Sequence, residues 1–114
     1  MKETFGQKLR TLRRAAGITQ RELAKKVGVD FSYISKLEND RLPPPAADTA
    51  VKISGALGIT PDELVAATGK IPPQIQQSVG SSPAAIHFLR TAQAMELSEA
   101  EWQQLRDQLR RLRD

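Results

Sequence analysis

The sequence predicts an all-α protein, and three features of the 114 residues support this fold class. Apolar residues recur at intervals of three and four, which places them on one face of each helix. Capping residues and glycines mark where the helical segments start and stop. Near the end of the chain, Trp102, Leu105, Leu109 and Leu112 repeat at 3-4-3 spacing. Such a stripe is typical of a helix that packs against another helix.

The length allows one compact core, or a small domain with an oligomerising extension. The sequence has no apolar run long enough for a membrane span, no leader pattern at its start and no cysteine. Membrane insertion, secretion and disulfides therefore lack support, and we expect a cytoplasmic protein. The single His87 cannot alone form a metal site or a catalytic triad, so we expect no metal and no cofactor.

The first helix is predicted over residues 4–16, because Phe5, Leu9 and Leu12 follow helical spacing and Gly17 offers a stop. The opposite face of this helix is basic, with Lys8, Arg10, Arg13 and Arg14. This segment is thus predicted to be an amphipathic helix with a positively charged outer surface.

Two short helices are predicted next. Thr19 and Glu22 form a capping box that starts helix 2, residues 20–27, and Gly28 ends it. Asp30 is the predicted N-cap of helix 3, residues 31–37. The small Ala24 lets the two helices cross closely, so the pair has the layout of a DNA-binding helix-turn-helix. An ordinary helical hairpin is the alternative.

The positive charge is concentrated in the same region. Residues 1–41 hold ten Lys/Arg against five Asp/Glu, whereas residues 42–70 hold two against three and residues 71–114 five against five. A localised positive field attracts polyanions and supplies the sequence-independent part of DNA affinity. The alternative is a basic surface that is merely solvated.

The chain resembles the lambda-repressor-like (Cro/XRE) family of helix-turn-helix regulators through FGQKLRTLRRAAGITQRELAKKVGV, SYISKLEND and ALGITPDEL. The resemblance implies a five-helix DNA-binding domain, which we place at residues 1–69. Helices 4 and 5 then correspond to residues 46–57 and 61–67. Thr60 is the predicted N-cap of helix 5, and Pro61 takes its first position.

The candidate base-contacting residues lie on helix 3. With Ile34 and Leu37 buried, helical rotation directs four side chains outward and places Tyr33 at the flank. The four are Phe31, Ser32, Ser35 and Lys36. The resemblance implies that Phe31, Ser32 and Lys36 take the positions that touch base edges. Lys36 can donate to guanine, Ser32 can bond several bases and Phe31 can contact a thymine methyl. Phe31 can also serve only as a packing lid.

Candidate phosphate contacts lie at the ends of this helix pair. Thr19 and Gln20 stand at the N-terminus of helix 2, where free N–H groups favour an anion. The resemblance implies further contacts from residues after helix 3 and beside it, namely Asn39, Arg41, Arg13 and Tyr33. Thr19 and Asn39 can also be helix caps. The sequence departs from the family at Asp40, where glycine is frequent: aspartate adopts the left-handed conformation less readily than glycine, and its charge repels phosphate.

Residues 70–114 are interpreted as a helical extension, with helices at 73–79, 84–96 and 99–113, the last started by a capping box of Ser98 and Glu101. Its apolar residues predict self-association. The candidates are Phe88, Leu89, Trp102, Leu105, Leu109 and Leu112. Packing of this stripe within the chain, onto helix 5, is the alternative.

These features predict a sequence-specific DNA-binding regulator that binds an inverted repeat as a homodimer. Repression is the simpler outcome, because occupying a promoter needs no further contact, although activation stays open. The alternative is an antitoxin-like or partner-controlled regulator whose C-terminal helices bind another protein. An enzyme is not expected, because the acidic residues are scattered along the chain. The expected partners are double-stranded DNA and a second copy, with no membrane.

Overall fold

A computed structural model of the protein describes residues 2–114, and all regular structure in this range is helical. The predicted all-α fold class is confirmed. The helices are α1 Phe5–Ala15, α2 Gln20–Val27, α3 Phe31–Glu38, α4 Ala47–Leu57, α5 Asp62–Thr68, α6 Pro73–Gly80, α7 Pro83–Met95 and α8 Glu99–Arg111. No helix in the described range is both long and apolar enough to cross a membrane.

The chain forms two compact units, which divide within α6. The N-terminal unit ends at Gln74 and the C-terminal unit covers Ile75–Asp114. This division falls a few residues beyond the expected boundary after residue 69. The N-terminal unit thus contains all of α1–α5, and the C-terminal unit contains α7, α8 and most of α6.

The N-terminal unit encloses one apolar core. α3 packs against both α1 and α2, and α5 packs against α1 and α4. The buried core residues are Phe5, Leu9, Leu23, Ala24, Ile34, Leu37, Ala50, Ile53, Leu57 and Leu64. Every helix of the unit contributes to this set, so the position of α3 is fixed by packing from several sides.

The predicted start of α2 and the predicted turn at its end are both confirmed. Thr19 accepts a hydrogen bond from the Glu22 N–H, and the Glu22 carboxylate accepts one from the Thr19 N–H, both at 3.0 Å. Gly28 ends α2 with φ +84°, a left-handed conformation that glycine adopts without a steric penalty. Ala24 is buried in the core of the unit.

The structure corrects several of the predicted helix ends, most of them by one residue. α3 continues to Glu38, and Asp30 occupies its N-cap position without accepting a hydrogen bond there. The predicted cap of α5 by Thr60 is wrong. Pro61 already has helical dihedral angles, and its carbonyl accepts from the Val65 N–H at 2.9 Å, so the hydrogen-bonded helix begins at Asp62. No side chain caps that helix.

The C-terminal unit is built mainly from α7 and α8, which have 13 residues each and are joined by a tight turn. Ser82 caps α7 by accepting from the Ala85 N–H, and Ser98 with Glu101 forms the predicted capping box of α8. α8 ends at Arg111, two residues earlier than the predicted 113. Ala92 is the one side chain classed as buried in the described part of this unit. The unit therefore has almost no closed core of its own.

Candidate nucleic-acid interface

The outer face of α3 carries the polar side chains that the sequence predicted there. Ile34 and Leu37 are fully or almost fully buried, which turns Phe31, Ser32 and Lys36 outward into solvent. Ser35 is half-buried beside them. The packing of one apolar face thus leaves a short, largely polar surface on the outside of α3.

Tyr33 lies at the flank of this surface. It is half-buried and packs against the apolar core of the N-terminal unit. Its ring therefore helps to hold α3 in place, and this leaves only part of the side chain available to a ligand.

A buried carboxylate joins α3 to both preceding helices. Arg13 donates to Glu38 twice, from Nε at 2.6 Å and from Nη2 at 3.0 Å, and donates from Nη1 to the Ile18 carbonyl at 2.9 Å. Gln20 donates to the same carboxylate at 3.0 Å, and Arg10 adds a longer contact at 3.4 Å. Bidentate pairs of this kind fix orientation as well as distance.

The ionised form of Glu38 is stabilised in this network. Burial alone raises the pKa of a carboxylate, but hydrogen bonds from Arg13 and Gln20, together with the charge of Arg13, outweigh it. The pKa of Glu38 is therefore lowered. The same hydrogen bond raises the pKa of Arg13 above its already high ordinary value. Glu38 thus remains charged at neutral pH and holds all three helices together.

This network corrects the prediction that Arg13 contacts phosphate. Arg13 is only 8% exposed, and the three nitrogens of its guanidinium are already bound to Glu38 and Ile18. A phosphate contact would require Arg13 to break both of its hydrogen bonds to a buried carboxylate, which is strongly unfavourable. Arg13 lies four residues after Leu9 and Glu38 four after Ile34, a spacing that places both on buried helix faces. That signal was present in the sequence.

The other predicted phosphate contacts lie at the two ends of the helix pair, and most already have partners. Thr19 is exposed and engaged in its capping box, and half-buried Gln20 donates to Glu38. Asn39 accepts from Arg10 at 2.8 Å and donates to the Ser35 carbonyl at 2.9 Å, so it stabilises the end of α3. Arg41 is exposed.

Asp40, at the position where the family frequently has glycine, is held in place by contacts with the start of α1. It adopts φ +56°, the left-handed conformation for which glycine is the usual choice. Its carboxylate turns toward the start of α1, where it accepts from Thr4 Oγ1 at 2.8 Å and from the Gly6 N–H at 3.2 Å. Gly6 permits this approach, since a Cβ there would lie 2.8 Å from the Glu38 carbonyl oxygen. Asp40 thus anchors the end of α3 to α1.

One residue that sequence reasoning missed lies beside the outer face of α3. The guanidinium carbon of Arg21 is 4.4 Å from the centre of the Phe31 ring. This distance is within the range of a cation–π contact, which contributes about 0.5–1 kcal/mol at an exposed site. Arg21 and Phe31 are ten positions apart, and their contact depends on how α2 and α3 cross.

The C-terminal unit brings together most of the residues predicted to mediate self-association. Phe88 of α7 and four residues of α8 line one apolar groove. The four are Trp102, Leu105, Leu109 and Leu112. Leu109 and Leu112 are 65% and 76% exposed, respectively, and Leu89 is exposed outside this groove. An apolar surface of this kind is typical of an interaction site.

Comparison with known proteins agrees with this geometry. A helix-turn-helix family model matches residues 9–64. The chain is 35% identical over 72 residues to the uncharacterized HTH-type transcriptional regulator y4dJ of Sinorhizobium fredii, with 63% of this chain and 92% of that protein covered. The chain therefore belongs to the Cro/C1-type helix-turn-helix transcriptional regulators, a class of DNA-binding proteins and not of enzymes.

Two longer relatives match in part. The chain is 34% identical to the uncharacterized HTH-type transcriptional regulator RghRB of Bacillus subtilis, over 77% of this chain and 66% of that protein. It is 36% identical to the immunity repressor protein of Bacillus phage phi105, over 54% of this chain and 42% of that protein. The chain thus spans less than two thirds of the length of either relative.

A solved structure of the master regulator for biofilm formation SinR, in complex with DNA, has a similar fold. It is 31% identical to this chain and superposes with a TM-score of 0.51, covering 54% of this chain and 98% of that one. The predicted lambda-repressor-like fold is confirmed by this likeness.

Proposed function

We propose that this protein is a sequence-specific transcriptional repressor that inserts α3 into the major groove of DNA. The observation that carries the proposal is the exposed polar face of α3, held on a closed core and a buried ion-pair network within the most basic part of the chain. A rigid helix of this kind presents base-contacting side chains without first having to order them.

The proposed division of labour follows from where each side chain lies. Lys36, Ser32 and Ser35 face the base edges, with Phe31 at the N-terminal end of the same face. Arg41 and the start of α2 at Thr19 and Gln20 flank this surface on the phosphate side. Base contacts give sequence preference, and the flanking contacts give affinity that depends on salt.

The second part of the proposal is a homodimer formed through the C-terminal unit. One copy of α3 contacts only about half of an ordinary operator, so two copies related by a dyad are needed to bind an inverted repeat. The uncovered apolar groove lined by Phe88, Trp102 and Leu109 supports this assignment.

Repression is proposed because a dimer that occupies a promoter excludes other proteins without further contacts. The likeness to a phage immunity repressor agrees with this proposal. With DNA as the proposed target, we also propose that the protein acts in the cytoplasm, as expected from the sequence.

Selection of bound sequences from random DNA tests the proposal. The expected result is an inverted repeat whose half-sites are about one helical turn apart. Enrichment of no sequence would contradict sequence-specific binding, and a single half-site would contradict the dimer.

Two substitutions then separate base contacts from phosphate contacts on the selected site. Lys36→Ala should cost about 1–3 kcal/mol on that site, with little change on random DNA. Arg41→Ala should weaken binding to all DNA and reduce the dependence of affinity on salt. Equal loss on both DNAs for the Lys36 variant would make Lys36 a phosphate contact. Binding is measured by fluorescence anisotropy at several salt concentrations.

A further inference from the structure

The contact between Arg21 and Phe31 joins the second residue of α2 to the first residue of α3. Phe31 is 38% exposed, and Arg21 is exposed as well. In a helix-turn-helix, the N-terminal residues of the second helix contact base edges. The Phe31 ring therefore holds a guanidinium at the end of α3 that is expected to lie deepest in the groove.

The stacked guanidinium keeps its donors available. Across residues 2–114, no carboxylate forms an ion pair with Arg21. Where a guanidinium stacks its planar face on an aromatic ring, the N–H groups at its edge stay free to bind acceptors. The ring also restricts the long side chain before binding, which reduces the entropy lost when DNA is bound.

We propose that Arg21, positioned by the Phe31 ring, is a specificity-determining residue that reads a guanine through its O6 and N7 atoms. This bidentate pairing is the commonest specific contact that arginine makes in the major groove. Phe31 is then a positioning residue for Arg21. The guanidinium lies over the Phe31 ring and competes with a thymine methyl for that ring. The inference rests on the proposed function and adds one base position to it.

A neighbouring arginine supplies a matched control. Arg14 lines a shallow groove together with Arg21, Phe31 and the start of α2, and it is exposed, but it is not the residue stacked on the ring. Arg14→Ala removes the same charge from the same region as Arg21→Ala. It should therefore reduce affinity for all sequences evenly and leave base preference unchanged.

The experiment repeats the selection from random DNA with wild-type protein and with the R21A, R21K, F31L, F31Y and R14A variants. The wild type should enrich a guanine at one further position in each half-site. R21A and F31L should lose that preference at the same position, with R21A binding the guanine site about 5- to 150-fold more weakly. R21K should also lose it, because an ammonium lacks the planar fork. F31Y keeps an aromatic ring and should retain it.

The coupling of the two residues gives a second readout. If the ring acts through Arg21, the F31L/R21A double variant should bind the guanine site no more weakly than R21A alone. Far-ultraviolet circular dichroism and thermal melting check that each variant is folded, which is expected because both side chains are exposed.

Three outcomes would overturn the inference. An even loss across all sequences for R21A, matching R14A, would make Arg21 a phosphate contact. A change at a thymine for F31L, with the guanine preference intact, would make Phe31 an independent base reader. A wild type that enriches no sequence would overturn the proposed function and this inference together, whereas the first two outcomes leave the proposed function standing.

Discussion

The two units of this protein handle their apolar residues in opposite ways. The N-terminal unit closes ten of them into one core, shared by five helices. The C-terminal unit leaves large side chains such as Phe88, Trp102 and Leu109 uncovered. The position of α3 is therefore fixed by packing within a single chain. The C-terminal unit, in contrast, is expected to reach full stability only when its apolar groove is covered.

The largest expected effect is on the N-terminal unit. Glu38→Ala leaves Arg13 buried without its carboxylate, so the free energy of unfolding should fall by about 3–5 kcal/mol. Denaturant unfolding followed by circular dichroism measures the change. Glu63→Ala is the control, because its contact with Lys8 is long, at 3.6 Å, and exposed. A similar small change for both variants would show that the network contributes little to stability.

The next prediction concerns self-association through the C-terminal unit. Trp102→Ala should weaken self-association by about 2 kcal/mol or more, roughly 30-fold in the dissociation constant. Sedimentation over a range of concentrations measures this constant. Val51, equally exposed at 41% but in the N-terminal unit, supplies the control variant Val51→Ala. If Trp102→Ala leaves the dimers intact, or the chain pairs only with a different protein, the groove is not a homodimer interface.

A smaller effect concerns the capping box. Thr19→Ala removes the acceptor for the Glu22 N–H and should reduce the free energy of unfolding by about 1 kcal/mol. Thr19→Ser retains a hydroxyl and should restore most of that loss. If Thr19→Ala weakens DNA binding far more than Thr19→Ser under conditions in which both variants are fully folded, Thr19 also contacts phosphate.

The smallest expected effect is a dependence on pH. Because the pKa of Glu38 is lower in the folded protein than in the unfolded chain, its contribution is complete above the ordinary glutamate value of 4.5. That contribution is lost as the pH falls through the folded pKa. The unfolding free energy of the wild type should therefore decrease more steeply below pH 4.5 than that of Glu38→Gln. If the wild type and Glu38→Gln lose stability in parallel as the pH falls, other carboxylates cause the acid sensitivity.

The sequence predicted what depends on neighbours along the chain. Capping by Thr19 and Ser98, the turn at Gly28 and the outward face of α3 are local, and each could be deduced from spacing and residue type. The same signals predicted where α1 to α5 begin and end, and the observed ends differ from the predicted ones by at most one residue. These features need no knowledge of which helices touch.

The interactions between helices were not predicted. The pairing of Arg13 with Glu38, the anchoring of Asp40 by Thr4 and the stacking of Arg21 on Phe31 each join different helices. Arginine and glutamate are ordinarily surface residues, so sequence reasoning placed Arg13 on a solvated basic face. Only the crossing angles of the packed helices bring these groups together.

The shared carboxylate of Glu38 also bears on how the N-terminal unit unfolds. It accepts from Arg13 on α1 and from Gln20 on α2, so it is satisfied only when three helices are docked at once. A chain in which one helix has separated would keep a desolvated charge without its full set of donors. Partly open forms are therefore penalised, and the α1–α3 segment is expected to lose its structure in a single cooperative step rather than helix by helix.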